Sequence, residues 1–125
     1  ELFVELLQLG DIVGIGDGGV WCLFASAVDG KAARAFIDAN GFPNENDDAW
    51  AEKFYIPCIR SIGDLSTAAT FVATRGGAVY VANTGDAFKT GGIERAFHAA
   101  ENTGLETSAT NVAPADIAAW IAGGA

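Results

Sequence analysis

One imidazole, two thiols and a scatter of carboxylates are the reactive groups of this 125-residue chain, so their spacing decides which reactions merit attention. Cys22 follows a glycine-rich approach in "GDGGVWCLFASAV", and His98 is the only histidine. A cysteine nucleophile needs a lowered thiol pKa, a histidine close in space and a group that orients the imidazole. Cys22 and His98 are therefore the catalytic candidates, with Asn83, Asp86 or Asn102 as orienting groups. The flanking residues favour a different role. Val20, Trp21 and Phe24 beside an Asp-Gly turn read as a strand, and in that hairpin Cys22 shares a face with Val13, Ile15 and Val20. Burial there would raise the thiol pKa, so a structural cysteine is the expectation.

Glu94, His98 and Glu101 fall at i, i+4 and i+7 on one stripe of a predicted helix, a spacing that can hold a metal. That stripe lies opposite the apolar face of Ile93, Ala96, Phe97 and Ala100, which makes it a solvated face, and no metal is expected. Asn44, Asn46 and Asp48 imitate the start of a calcium loop. Ala49 stands where the sixth-position glycine belongs and Tyr55 where the bidentate glutamate belongs, so the segment reads as an acidic loop. "GIGDGG" spells G-x-G-x-x-G from Gly14 to Gly19, but it is expected to lead into a strand, without the helix N-terminus that binds phosphate. "RGG" and "TGG" are likewise read as turns, and no cofactor is expected.

"FASAVDGKAARAF" and "STAATFVATRGGAVYVANTGDAF" are similar to two successive segments of metal-dependent PP2C-type phosphatases. The resemblance implies metal-holding roles for Asp29-Gly30 and Gly85-Asp86. Lys31-Ala32 replaces that family's Gly-Gly, Ala87 replaces its serine, and its later metal aspartates have no counterpart. The chain is also about half the length such an enzyme needs, and the family is not adopted.

These groups must be positioned by a chain that is 50% apolar and 18% charged, a globular composition sized for one domain over residues 1–125. The net charge is −9 with seven Lys and Arg, too few and too scattered for a phosphate-binding patch, so nucleic acid is excluded as a partner. The acidic surface suits solubility and would steer a basic partner. No apolar run reaches the ~18 residues of a membrane span. The sequence starts at Glu1 and contains no Met, which reads as a processed or trimmed chain of unassigned compartment. A Cys22–Cys58 disulfide would place it in an oxidising one.

The hydrophobic pattern predicts a helix over 1–10, then a hairpin of "DIVGI" and "VWCLFASAV" around Asp17-Gly18. A helix over "GKAARAFIDANG", a short helix at "DDAWAEKF" and a Pro57-bearing edge strand "YIPCIRSI" follow. "STAATFVATRGGAVYVANTG" reads as a second hairpin around Gly76-Gly77, with helices at "TGGIERAFHAAENTG" and "APADIAAWIAGG" after it. The order α-β-β-α-β-β-β-α-α predicts an α+β fold with a single antiparallel sheet of about five strands, of roadblock, longin or profilin type. Function is expected to be that of a non-catalytic interaction or accessory subunit, docking a protein partner or itself through aromatic residues such as Trp120. The alternatives are a domain that binds a small apolar ligand between Trp21, Phe71 and Tyr80, or a small hydrolase using Cys22 and His98.

Overall fold

Parallel neighbours cannot be joined by a two-residue loop; each pair needs a crossover, usually a helix. That constraint governs this chain. Its computed structural model describes residues 11–16, 18–29, 33–54 and 64–123. In chain order the elements are β1 (Asp11–Gly14), α1 (Gly18–Asp29), β2 (Arg34–Asp38), α2 (Asp47–Phe54), α3 (Leu65–Thr74), β3 (Ala78–Ala82), α4 (Gly91–Ala99), β4 (Leu105–Thr107) and α5 (Pro114–Ile121). The four strands form one all-parallel sheet in the order β1-β2-β3-β4. The fold is therefore α/β, and the expected antiparallel α+β sheet of about five strands is overturned. The predicted opening helix and the "YIPCIRSI" strand, with Cys58, lie outside the described residues.

Both expected hairpins dissolve for identifiable reasons. In α1 the buried residues Gly19, Cys22, Leu23 and Ser26 repeat at i, i+3, i+4 and i+7, and the twelve-residue run is longer than a typical strand. In α3 the buried set is Leu65, Ala68, Ala69, Val72 and Ala73, again a helical stripe. Asp64 caps this helix, its Oδ1 accepting from the Leu65 amide at 2.7 Å. "RGG" ends it: Gly76 adopts φ +82°, its amide donates to Ala73 and the Gly77 amide donates to Val72. That pair of bonds is a Schellman stop, with glycine where a left-handed residue is required.

The predicted helix at "GKAARAFIDANG" is β2 instead. Ala35, Phe36 and Ile37 are consecutive and all buried, the signature of a parallel strand covered on both faces. Ala35, Ile37, Val79 and Val81 face one way, under α1, α3 and α4. Phe36 and Ala82 face the other way and meet Trp120 of α5. Trp120 is thus mostly covered, not the freely exposed ring expected, and keeps only 9% of its surface open. Ser26, fully buried on α1, accepts a 2.9 Å hydrogen bond from the Arg75 guanidinium, whose pKa burial pulls down while nearby Asp29 pushes it up. The short helix α2 and the helices α4 and α5 stand where the sequence pattern placed them.

Candidate functional site

All four strands end at the same edge of the sheet, and in open α/β sheets that carboxyl edge is where ligands bind. Here the edge is organised by one carboxylate. Asp38, the last residue of β2, accepts through Oδ2 from the Gly16 amide at 3.0 Å. Its Oδ1 accepts from the Asn40 amide at 2.9 Å and from Asn83 Nδ2 at 3.0 Å. Turns after three different strands are therefore held by a single side chain. Asn40 and Asn83 take left-handed conformations, φ 50° and 57°, which asparagine tolerates better than most residues. Backbone bonds from Ala39 to Ala82 and from Gly41 to Asn83 fasten the same two loops.

The turn after β1 is as tightly specified. A Cβ on Gly14 would lie 2.5 Å from Cys22 Sγ, and one on Gly19 would strike the Asp38 backbone carbonyl. Both glycines let the start of α1 lie directly on β1 and the end of β2. Gly16 sits between them at φ +62°. Contrary to expectation, "GIGDGG" leads from a strand into a helix, so the dinucleotide reading requires a second test. An acidic residue also ends β2, as that fingerprint demands. The donors, however, are already used. Gly16 N–H points to the Asp38 carboxylate, Gly18 N–H to Ile15 and Gly19 N–H to Gly16. The Asp38 carboxylate stands where a pyrophosphate would need to go, so the described amides of the turn form no anion cradle.

A second comparison fits better in shape. Strand, sharp turn and helix with the spacing G-x-S-x-G form the nucleophile elbow of α/β-hydrolases, whose apex residue is presented above the sheet. Gly14, Gly16 and Gly18 match the spacing, with Gly16 at the apex in place of the serine. The glycine spacing is that of an elbow, and Gly16 at its apex position has no side chain. Asp17 lies outside the described residues.

The sequence-derived candidates are dispersed over this frame. Cys22 is on the inner side of α1 against Ile12 and Ala25, and burial pushes its thiol pKa up. His98 is exposed near the end of α4, which covers the crossover between β3 and β4. Cys22 belongs to the β1 end of the sheet near its carboxyl edge, and His98 lies toward the other end and the other edge. Of the proposed orienting groups, Asn83 serves Asp38, the Asp86 carbonyl accepts from Lys89 Nζ, and Asn102 bonds Ala73, Gly77 and Gly104.

Glu94, His98 and Glu101 are all exposed, and the described residues contain no cluster of three metal-ligating side chains. Asn44 is a buried clamp on the Lys89 backbone, and Asn46 caps α2 through the Ala49 amide. Asp29 ends α1 at the amino edge while Asp86 follows β3 at the carboxyl edge, so the metal pair implied by the phosphatase resemblance is not assembled.

The expected ligand pocket also divides. Tyr80 is on the face opposite α1 and α3, and Phe71 points outward from α3. Trp21 instead borders a cleft of about 560 Å³ beside the elbow, lined with Asn40, Phe42, Glu52, Lys53 and Phe54. Trp21 meets Phe54 edge-on at 5.3 Å, and Phe42 meets Phe54 similarly at 5.0 Å. Asp38, Asn40 and Phe42 were missed as site residues because their segment carries a helical stripe. The available signal was an acidic residue closing a continuous apolar run, followed by Asn-Gly. No protein-family model, curated protein or solved structure matches the chain.

Proposed function

We propose that this chain is a non-catalytic α/β binding module that takes a small apolar ligand in the cleft bordered by Trp21, Phe42 and Phe54. The observation that carries the reading is the elbow apex. Gly16 offers no nucleophile, and its amide is capped by Asp38, so neither acyl transfer nor phosphate binding has its first requirement there. The neighbouring cleft sets the exposed Trp21 ring, backed by Phe42 and Phe54, beside the polar groups of Asn40, Glu52 and Lys53 at the carboxyl edge of a parallel sheet, where such sheets bind ligands.

The test is thermal unfolding of the whole chain against a panel of small aromatic and aliphatic compounds, alongside hydrolysis of an activated acyl ester. A ligand-dependent rise in Tm that Trp21→Ala removes and Tyr80→Phe keeps is expected, with no turnover above buffer. Ester turnover that disappears in Cys22→Ser or His98→Ala would restore the hydrolase reading and reject this one.

A second reading, an accessory subunit of a larger assembly, is favoured by specific exposed side chains. Val28 is 87% exposed, Ile15 69% and Phe71 61%, apolar side chains that a partner surface would cover. Light scattering over a dilution series reads self-association directly, and a constant monomer mass counts against it.

A further inference from the structure

Among the described residues, the face of the sheet opposite α1, α3 and α4 is covered only in part. Trp120 of α5 closes over Phe36 and Ala82, and beyond it, toward β4, lies an open groove of about 600 Å³. Its aromatic walls are Tyr80 and Trp120, with ring centroids 5.7 Å apart and planes nearly perpendicular. Glu106 pairs in register with Tyr80, so it projects on the same face, and Asp116 enters from the first turn of α5. The rest of the lining is small: Ala119, Ala122 and Gly123. Two carboxylates thus flank two aromatic rings, and none of the lining residues is basic.

The same indole already holds a cation from within the chain. The Arg34 guanidinium lies 5.1 Å from the Trp120 ring centroid. A ring near a guanidinium on one side and bordering an acidic groove on another has the two components a basic side chain seeks, a π surface and carboxylates. The chain's charge of −9 adds long-range attraction for a basic partner.

We propose that this groove seats an arginine or lysine side chain of a basic peptide segment, its cation placed against Tyr80 and Trp120 and between Glu106 and Asp116. The occupant is a protein segment because the site is a shallow, open groove along a helix and a strand, not an enclosed cavity. This surface is separate from the Trp21 cleft and stands or falls without it.

The test uses the intact chain, a fluorescent peptide with two arginines, and the same peptide with citrulline, which keeps the shape and removes the charge. Anisotropy titrations at low ionic strength compare Glu106→Gln/Asp116→Asn with a charge-matched control, Glu94→Gln/Glu101→Gln, at exposed positions on α4 and just past its end. Saturable binding of the arginine peptide, weakened about tenfold by the first pair and less than about twofold by the control, is expected, with no binding of the citrulline peptide. Equal weakening by both pairs would reduce the effect to net charge and overturn the site. So would equal binding of the citrulline peptide. Competition by free guanidinium at concentrations as low as those at which the peptide binds would reassign the groove to small cations.

Discussion

Burial keeps the Cys22 thiol protonated, and that has a readable consequence. Native alkylation of Cys22 should be far slower than in denaturant, with peptide mapping of the labelled chain to separate it from Cys58. The folded thiol pKa is raised, so the native state holds this proton more tightly than the unfolded chain does. Its contribution to stability is complete below the ordinary thiol range and is lost as pH rises through that range toward the folded pKa. Cys22→Ala should flatten the part of the alkaline stability loss that belongs to this group. Asp38 is more consequential. An asparagine there keeps the size but turns an amide NH2 toward one of three donors, so Asp38→Asn should cost roughly 1–3 kcal/mol and speed amide exchange at Gly16 and Asn40. If both amides remain as protected as in the parent chain, the carboxylate is not what holds the loops. Gly19→Ala should be worse still, because the new methyl meets the Asp38 backbone and not a movable side chain. A melting temperature within a degree of the parent would rule that contact out.

At the level of elements, α4, α5 and α2 were legible in the sequence because each has a single amphipathic stripe and uncrowded ends. Pro114 and Asp116 open α5, and Ile93, Ala96 and Phe97 repeat cleanly in α4. α1, β2 and α3 were not legible, and the physical reason is common to all three. Segments buried on several sides carry apolar residues in excess of any one stripe, so period 2 and period 3.6 both find matches in "VWCLFASAV" and "ATFVAT". Turn residues then favour hairpins: Asp17-Gly18 leads into a helix here instead of closing a hairpin, and Gly76-Gly77 stops a helix with the same residues that could close one. The candidate site shared that fate: the helical stripe takes in Asp38, while Asn102 stands out as an orienting group and is instead tied to three backbone groups. Asn102 joins the end of α3 to the start of β3 and the approach to β4, through bonds to Ala73, Gly77 and Gly104. Asn102→Ala should lower stability by about 2 kcal/mol, within the range for a partly buried polar group that leaves partners unpaired. Chemical denaturation measures it, and a loss under about 0.5 kcal/mol would mean that water replaces all three bonds.

For the molecule as a whole, the two faces of the sheet depend on different amounts of cover. Among the described residues, several helices protect one face, and α5 is what covers the region around Phe36 on the other. Trp120→Ala should therefore cost about 3–5 kcal/mol and increase the binding of a dye that reports exposed apolar surface, because Phe36 and Ala82 lose their lid together. Unchanged dye binding would show that the face closes by other means. Among the described residues no helix is long and apolar enough to cross a membrane.

The strands lie side by side in the order in which they are synthesised. Each one can find its neighbour as it leaves the ribosome, without waiting for a later strand to be inserted between them. α5 breaks that sequence. It follows all four strands and covers Phe36, which has been in place since the second strand formed. At roughly 5–20 residues per second the interval lasts several seconds. During that time the nascent chain presents an aromatic sheet face to its surroundings, so premature termination before Pro114 would yield a domain with ordered strands and a permanently sticky side.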